Sequence, residues 1–542
     1  MSHTGGGDDA SSRGQVSRRD VVTLIAGMGV GAGGTLLGYQ VAGPDASPAD
    51  STEVSWDEEH DVVVVGYGAA GSTAAYVAAD NGADTVVLEK NDQGGEAVRQ
   101  SYGLLYLGGR TEMQEILGAF DSPEMMQNYM ELRYPQADRD RIETFAQNSK
   151  AHHDWLRDDV GVPLYTENTS PYRMDYYPGG GLTYSGAEFN QPYAEQVTPM
   201  KRGHTVKGEG KGGEELWNAL DSAATDAGVT VKFGTPATRL VTNSDGNVEG
   251  VIAKASDGEI AIRAHNDVVL ATGPFEMNRD MIDKHAPEFM KGKGGYSMVP
   301  LHDGAGIRMA QSIGASVENM GQLTADCHLF PKQPNTESPN SRHLLKGMMF
   351  NSDGLRFMDE SRPPADIGTE ILENQDGQAY YLMDGQLISN IGGQPEHLTK
   401  LFSANGYIGL IERINRRLDI PYDFVNENIG AYSNNANSGR DPQYGKPRRF
   451  LKELYTPPFH VYDLSVETMD LRYETHGGIS TRIKGRVLDV ENQPIQGLRA
   501  APKCANTITG QFKDGGMNLS AATYFGRLIG KAAAGSSGTS TS

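Results

Sequence analysis

The stretch from Asp61 to Gly71 reads D-V-V-V-V-G-Y-G-A-A-G, and the rest of the fold follows from it. Its β-branched first half predicts a buried parallel strand. Gly66 permits a tight turn after that strand, and Gly68 lets the backbone approach a ligand closely. Gly71 allows the strand to pack closely against the small-residue helix that follows, from Ser72 to Asn81. The N-terminus of that helix would face the negative charge of a phosphate.

A second strand, from Asp84 to Leu88, completes the strand–helix–strand unit and leads into Glu89. A carboxylate at this place can hold the hydroxyls of a ribose, and it disfavours the 2′-phosphate of NADP. The glycine spacing alone is weak evidence, but the complete unit predicts a dinucleotide-binding, Rossmann-type fold. These residues leave FAD and NAD both open as the cofactor.

Further stretches occur in an order that is typical of one flavoprotein superfamily. They are Gly94–Gly103, Tyr106–Gly109, His153–Leu156, Gly161–Pro163, Gly181–Gly186, Arg202–His204, Leu270–Phe275, Asp303–Gly306, Asn351–Phe357, Thr475–Ile479 and Phe525–Arg527. From Asp61 to Ala534 the chain resembles the fumarate reductase and 3-ketosteroid dehydrogenase superfamily, and it is most similar to the ketosteroid dehydrogenase-like branch. The resemblance selects FAD as the cofactor. It also implies non-covalent FAD, because Glu96 stands near the position where some members carry a histidine that attaches FAD.

The resemblance implies an α/β fold in which a split Rossmann-type FAD-binding domain receives an inserted α+β substrate-capping domain. The length of 542 residues agrees with more than one packed unit. The expected segments are a twin-arginine signal at 1–42, a linker at 43–58, the first part of the FAD-binding domain at 59–306, the cap at 307–462, the second part of the FAD-binding domain at 463–534 and a disordered tail at 535–542.

The glycine motif and the resemblance together assign FAD contacts along the whole chain. The expected FAD-binding residues are Gly66, Gly68, Ala69, Ala70, Gly71, Glu89, Lys90, Gly95, Glu96, Ser101, Gly103, Ala237, Thr272, Gly273, Asp303, Asn518 and Leu519. No group of His, Asp or Glu residues has the spacing of a metal site, so no metal is expected.

Four residues are candidates for catalysis by their positions in the family pattern. Lys513 stands where one branch has a substrate-binding arginine and the other a tyrosine donor, so it is expected to polarise a carbonyl or bind a carboxylate. Glu474 and His476 flank the T-x-G-G turn that lies under the flavin in the family. Lys446 follows Tyr444 and Gly445 where fumarate reductases carry a proton-donating arginine. For each of these residues a purely structural role is the alternative.

The expected function is FAD-dependent reduction or formation of a C=C bond next to a carbonyl in a small organic substrate, with hydride passing through flavin N5. Fumarate itself is disfavoured, because lysines at 446 and 513 cannot form the bidentate clamps that arginines give a dicarboxylate. The alternatives are a 3-ketosteroid dehydrogenase proper, a fumarate reductase-like respiratory flavoprotein, and a non-enzymatic flavin electron carrier. A capping domain argues against the carrier, which needs an exposed flavin edge.

Composition restricts the partners. The net charge of −22 argues against nucleic acid and anionic lipid. Two cysteines, Cys327 and Cys504, cannot hold an iron–sulfur cluster, and no haem-attachment motif occurs, so a separate electron donor or acceptor is expected. A disulfide between the two cysteines stays open. No apolar run reaches the roughly 20 residues of a membrane-spanning helix.

The N-terminal segment contains Arg18 and Arg19 ahead of a mildly apolar stretch from Leu24 to Leu37. A twin arginine before a short, glycine-rich apolar region is typical of a twin-arginine export signal. This route carries folded proteins, which suits a protein that must load FAD. The expected location is therefore the periplasm or the cell surface. The alternative is a disordered basic tail.

Overall fold

The computed structural model describes residues 49–51, 54–166, 181–208, 212–291, 301–327, 329, 341–469 and 471–535. The residues from Asp45 onward form one unit. The signal expected at 1–42, part of the linker at 43–58 and nearly all of the tail at 535–542 lie outside the described residues.

Within these ranges the strands are β1 (Ala49–Asp50), β2 (Glu58–Val65), β3 (Thr85–Leu88), β4 (Leu104–Tyr106), β5 (Leu182–Thr183), β6 (Gly203–Thr205), β7 (Thr230–Lys232), β8 (Ala237–Thr242), β9 (Val248–Ala255), β10 (Gly258–Leu270), β11 (Val317–Glu318), β12 (Leu323–Cys327), β13 (Met348–Phe350), β14 (Tyr380–Met383), β15 (Thr399–Ala404), β16 (Phe459–Asp463), β17 (Leu471–Thr475), β18 (Gly478–Ile479), β19 (Arg486–Leu488) and β20 (Pro494–Ala500).

The helices of the same residues are α1 (Ala69–Asp80), α2 (Glu96–Gln100), α3 (Glu112–Ile116), α4 (Pro123–Arg133), α5 (Arg139–Asp158), α6 (Tyr193–Gln196), α7 (Gly212–Asp226), α8 (Arg279–His285), α9 (Ala305–Ser312), α10 (Pro364–Asn374), α11 (Gly385–Asn390), α12 (Tyr407–Leu418), α13 (Tyr422–Ser438) and α14 (Met517–Ala534).

The valine run Val62–Val65 forms the centre of the largest sheet. β2 lies between two parallel neighbours, β10 and β3, and its valines are almost fully buried. Burial on both faces explains why this strand is a continuous apolar run and not an alternating one. β7 extends the sheet beyond β3, and β20 pairs in parallel with the last residues of β10.

The sheet is built from two distant parts of the chain. After β10 ends at Leu270 the chain leaves the sheet, and it returns only at β19 and β20, from Arg486 onward. Between them lies a separate antiparallel sheet in the order β13-β14-β16-β15. This arrangement confirms the expected α/β fold with an inserted capping domain. The boundaries at 306/307 and 462/463 stay predictions.

Two antiparallel strand pairs join the cap to the FAD-binding domain. β11 pairs with β18, and β12 pairs with β17. β12 stands before the cap sheet in the chain and β17 follows it, so both connections of the cap pass through this pair. Helix α10 of the cap packs on β12, where a Cβ atom at Gly368 would lie 2.1 Å from the carbonyl oxygen of Ala325.

Helix α14 returns at the end of the chain to pack along α1. Their approach depends on Gly526 and Gly530, one turn apart on α14. A Cβ atom at Gly530 would lie 2.3 Å from the carbonyl oxygen of Ala74. Because interiors are closely packed, this contact fixes the position of α14 relative to the glycine-rich turn. The N-terminal half of α14 thereby extends past the start of α1, and Gly516 lies against Leu104 and Tyr106.

Both cysteines are buried and both are free thiols. The disulfide that the sequence left open is therefore not formed. The Sγ of Cys504 accepts a hydrogen bond from Thr272 Oγ1 at 3.4 Å. None of the described helices has the length and apolar composition of a membrane-spanning segment.

Candidate active site

Two glycines of the first turn are required by the packing of the chain itself. Gly66 has a φ of +101°, and a Cβ atom there would lie 2.5 Å from the carbonyl oxygen of Ala271. A Cβ atom at Gly71 would lie 2.0 Å from the carbonyl oxygen of Gly66. The close contacts of Gly66 with Ala271 and of Gly71 with Gly66 bring the ends of β2 and β10 and the start of α1 together, as the sequence predicts.

Gly68 differs from both, because a Cβ atom there would meet nothing within 4 Å. Its backbone is extended, and it precedes α1 without any side-chain hydrogen bond to the first turn. The chain's own packing therefore does not require this glycine. Open space at an uncapped helix N-terminus fits a pyrophosphate held by Gly68, Ala69 and Ala70.

Glu89 lies beside this turn. Its carboxylate is buried and accepts hydrogen bonds from the backbone N–H of Tyr67 at 2.8 Å and of Asn91 at 3.0 Å. Burial raises the pKa of the Glu89 carboxyl, although both backbone bonds oppose this. The backbone N–H of Thr235 bonds to the carbonyl oxygen of Glu89, which brings β8 and Ala237 near it.

Replacing Glu89 by alanine is expected to weaken FAD binding by about 1–3 kcal/mol, the range of a lost hydrogen bond to a charged group. Flavin fluorescence during titration of the FAD-free protein measures this. Glu89→Gln is the matched control, because its amide oxygen still accepts from Tyr67 N–H. Equal FAD affinity in wild type and Glu89→Ala would show that the carboxylate does not reach the ribose.

The second expected FAD loop is held by local contacts. Gly95 is left-handed, and a Cβ atom there would lie 2.2 Å from the ring of Trp217. Glu96 Oε1 accepts a hydrogen bond from Asn91 Nδ2 at 2.7 Å, and Ser101 Oγ accepts from the backbone N–H of Gly103 at 3.2 Å. Glu96 is thus part of the loop, and the non-covalent attachment of FAD stays a prediction.

Three further residues from the expected FAD set meet around the end of β10. Thr272 Oγ1 accepts a hydrogen bond from the backbone N–H of Gly306 at 3.2 Å. Gly273 has a φ of +78° and lies against the His302 ring. Asp303 accepts from the N–H of Ala305 and lies 3.8 Å from Lys90 Nζ.

Polar atoms without a hydrogen-bond partner among the described residues lie at and near the N-terminus of α14. Gly516 precedes the helix without a side-chain cap. Asn518 Oδ1, Ser520 Oγ and Ser185 Oγ are buried and have no hydrogen-bond partner within the described part of the chain. Buried polar atoms normally find partners, so these atoms indicate a ligand. With Gly68 and Glu89 they fit FAD, which Asn518 and Leu519 would hold at this end.

Lys513 and Glu474, two of the expected catalytic residues, form an ion pair. Glu474 also accepts from Asn518 Nδ2 at 2.7 Å and lies 3.4 Å from Lys503 Nζ. Burial raises the pKa of the Glu474 carboxyl, but Lys513 and Lys503 outweigh it and hold this pKa below its ordinary value. Burial lowers the pKa of Lys513, and Glu474 and Asp326 more than compensate. Both partners are therefore charged at neutral pH.

Two further contacts between charged or titratable side chains link Lys503 to His302 through Glu276. Lys503 Nζ lies 3.4 Å from Glu276 Oε1, and Glu276 Oε2 lies 3.1 Å from His302 Nδ1. Lys503 and Glu276 were not predicted as site residues. Lys503 lies shortly after the end of β20, and its place in the site depends on contacts with distant segments of the chain.

His476 is fully buried, and threonine hydroxyls contact both of its ring nitrogens. Nε2 lies 2.7 Å from Thr324 Oγ1, and Nδ1 lies 2.9 Å from Thr509 Oγ1. Burial lowers the pKa of His476 well below its ordinary value, so the ring is neutral. These contacts agree with the structural alternative, and a role beside the flavin stays a prediction.

Lys446 lies in the cap, and its contacts are those of a buried ion cluster. Its Nζ lies 3.0 Å from Glu360 Oε2 and donates to the carbonyl oxygen of Gly347 at 2.8 Å. Arg356 also pairs with Glu360. Lys446 shares no hydrogen bond or ion pair with Lys513, Glu474 or His476, so the structure does not bring it into their cluster through direct contacts.

A cavity of about 170 Å³ opens beside the Lys513–Glu474 pair. Its lining comes from the FAD-binding domain, the cap and the loop before α14, and consists of Ser101, Tyr102, Leu104, Ser185, Asp326, Pro363, Pro364, Ala365, Lys513, Asp514, Gly515, Gly516, Asn518 and Leu519. Four of these residues, Ser101, Lys513, Asn518 and Leu519, were predicted as site residues. Asp326 was missed, since no motif marks it. Within the described ranges no cluster of side chains could hold a metal ion.

Comparison with known proteins agrees with this geometry. Residues 61–519 match the family of the FAD binding domain. The structure is similar to 3-ketosteroid-delta4-(5alpha)-dehydrogenase from Rhodococcus jostii RHA1, solved with 4-androstene-3,17-dione, with a TM-score of 0.80 and 31% identity over 90% of this chain and 100% of that one. These matches confirm the expected superfamily and its FAD cofactor.

Two curated relatives are more distant. The chain is 25% identical to an NADH:fumarate oxidoreductase of Klebsiella pneumoniae over 92% of its own length, but it spans only 49% of that protein. It is also 25% identical to a vinyl phenol reductase of Lactiplantibacillus plantarum, over 88% of this chain and 97% of the relative. The family match covers most of the chain, and the glycine turn, Glu89 and the α14 N-terminus suit the same cofactor. The chain belongs to the FAD binding domain family of flavoproteins.

Proposed function

We propose that this chain is an FAD-dependent oxidoreductase that saturates or forms a C=C bond next to the carbonyl group of a small, uncharged organic molecule. The observation that carries this proposal is the cavity beside the Lys513–Glu474 pair. The similar proteins act, by their names, on fumarate, a vinyl phenol and a 3-ketosteroid. A C=C bond conjugated with an unsaturated or aromatic group is common to these reactions.

The charges around the cavity favour a neutral carbonyl over a carboxylate. Lys513 is paired with Glu474, and Lys503 lies between Glu474 and Glu276. Arg133, which is fully buried next to the cavity wall, is paired with both Asp366 and Asp514. A carboxylate substrate would need a cation that is not already neutralised, because desolvating an unpaired charge is costly.

Lys513 can donate a hydrogen bond to a carbonyl oxygen while its ion pair with Glu474 stays intact. An ammonium group has three N–H donors, and Glu474 engages one of them. A remaining donor can stabilise the negative charge that develops on the oxygen as the double bond reacts. Bound FAD supplies the chemistry of hydride transfer. Pro363, Pro364 and Ala365 of the cap contribute an apolar part of the cavity lining.

A flavin electron carrier is the competing function, and one experiment separates the two. The purified protein is reduced anaerobically with dithionite and mixed with cyclohex-2-en-1-one, 4-androstene-3,17-dione, acrylate and fumarate. We expect reoxidation of the flavin, followed at its visible absorbance maximum, by at least one uncharged ketone. Reoxidation by none of the compounds, together with rapid electron exchange with a small redox dye, would favour the carrier. The physiological electrons would come from or go to a separate protein.

We also propose export by the twin-arginine route to the periplasm or the cell surface. The support is the Arg18–Arg19 pair ahead of the apolar stretch from Leu24 to Leu37. Replacing both arginines by lysine is expected to retain the protein in the cytoplasm, because the arginine pair itself is the export signal. The lysines preserve the positive charge, so a charge effect alone would leave export unchanged. Cell fractionation and immunoblotting measure this. Normal export of the double variant would refute the location.

A further inference from the structure

The pairing of β12 with β17 places Asp326 at the wall of the cavity. In the β12–β17 ladder Thr324 lies opposite Glu474, and Asp326 lies opposite Arg472. Side chains two positions apart on a strand point to the same face, so Asp326 shares the face of Thr324, whose hydroxyl contacts His476. Asp326 and Lys513 both line the cavity. The carboxyl group therefore shares the cavity with the proposed carbonyl-binding ammonium.

The bonding of Asp326 differs from that of its acidic neighbours. Glu474, Glu276 and Asp514 are each engaged by a lysine or an arginine. The Asp326 carboxyl makes no hydrogen bond and no ion pair at contact distance with a residue of the described ranges, although it is half-buried. Its oxygens are thus available to a molecule in the cavity.

The surroundings of Asp326 favour its protonated form. Burial raises the pKa of the Asp326 carboxyl; Lys513 opposes this, Glu474 adds to it, and the result is a raised pKa. Arg472 on β17 lowers this pKa, and Asp366 on α10 raises it. A protonated carboxyl that faces a cavity can act as a general acid, as raised pKa values at other catalytic sites show.

We propose that Asp326 is the catalytic residue that transfers the proton in the C=C reaction. The inference rests on the proposed function. Saturation of the double bond needs one hydride at the β carbon, which bound, reduced FAD would supply, and one proton at the α carbon, which Asp326 would supply. The O–H bond of Asp326 breaks, its proton forms the new C–H bond with the electron pair of the polarised double bond, and a carboxylate remains. In the reverse reaction the carboxylate removes the α proton.

The charges of Lys513, Glu474 and Asp326 also match an uncharged substrate. With Asp326 protonated, the Lys513–Glu474 pair and this carboxyl together carry no net charge. A neutral conjugated ketone therefore enters without leaving a charge unpaired. Its oxygen would accept a hydrogen bond from Lys513, and its α carbon would lie next to Asp326. Lys513 would thus stabilise the charge on the oxygen, and Asp326 would transfer the proton.

The test is anaerobic stopped-flow reoxidation of the full, FAD-loaded protein by whichever uncharged ketone of the panel reoxidises wild type fastest. Asp326→Asn is expected to slow reoxidation about 100-fold or more, the usual contribution of general acid catalysis. Asp326→Glu should recover part of that loss, because it restores the acid. FAD content and reduction by dithionite should stay unchanged. Asp376→Asn is the control, because its side chain is 88% exposed and does not line the cavity.

The pH profile of wild type gives a second readout that needs no variant. A proton donor is active when protonated, so reoxidation should be fastest at low pH and fall as pH rises through the raised pKa of Asp326, above the ordinary value of about 4. Asp326→Asn should lose this fall. An Asp326→Asn variant with the wild-type rate, or a wild-type rate that does not fall with pH, would overturn the assignment. Failure of every ketone to reoxidise wild type would refute the proposed function instead.

Discussion

Replacing Lys513 by methionine is expected to lower the rate of substrate-driven flavin reoxidation by about 100-fold or more, while FAD content and the visible spectrum stay unchanged. The ammonium group lines the cavity and has donors left after it binds Glu474. A hydrogen bond to a carbonyl oxygen strengthens as negative charge develops there, so its loss affects the transition state more than the ground state.

The structure indicates that this substitution is tolerated. Glu474 keeps Asn518 at 2.7 Å and Lys503 at 3.4 Å as partners, so its carboxylate is not left unpaired. Methionine retains the apolar length of the lysine side chain. Stopped-flow absorbance measures reoxidation, and dithionite reduction at the wild-type rate is the control for an intact flavin site. Reoxidation of Lys513→Met at the wild-type rate would show that the lysine does not act on the substrate.

Replacing Gly68 by valine is expected to lower the affinity for FAD more than 100-fold, which corresponds to about 3 kcal/mol or more. Nothing in the described part of the chain occupies the space beside Gly68, and its extended backbone accepts a β-branched residue. The folded FAD-free protein should therefore be unaffected. The new side chain would fill the space that the pyrophosphate needs at the start of α1 and would separate it from the backbone N–H groups.

A pair of glycine variants separates folding from cofactor binding. Gly430→Val is the matched control, because a Cβ atom there also meets nothing within 4 Å, but on helix α13 of the cap. Thermal unfolding of both FAD-free proteins and FAD titration give the two readouts. FAD affinity that drops equally in both variants, or stays unchanged in Gly68→Val, would contradict the placement of the pyrophosphate.

The local part of the fold could be predicted because it depends on neighbours in the sequence. The valine run, the glycine spacing and Glu89 predict a strand, a turn, a helix and an acid, and all four form as expected. These features lie within about thirty residues of one another in the sequence, although β2 also pairs with the distant β10. The short-range pattern predicts a dinucleotide, the resemblance along the whole chain selects FAD, and the family match agrees with it.

The arrangement of the candidate catalytic residues could not be predicted in the same way. Lys513 and Glu474 meet because β17 and the loop before α14 converge, and no local pattern encodes that approach. His476 is neutral and enclosed by threonines, which depends on its burial. Asp326 would have been recognised only with the β12–β17 register known. Long-range pairing thus decides which charged residues share the cavity.

The central claim is that the cavity accepts an uncharged carbonyl conjugated with a C=C bond. The most direct test compares two molecules of nearly the same shape, 4-phenylbut-3-en-2-one and cinnamate, as oxidants of the anaerobically reduced protein. Since Lys513, Lys503 and Arg133 are already paired with carboxylates, the ketone should reoxidise the flavin at least about tenfold faster than the carboxylate, a difference of about 1.4 kcal/mol. Reoxidation by cinnamate at an equal or higher rate would contradict this account.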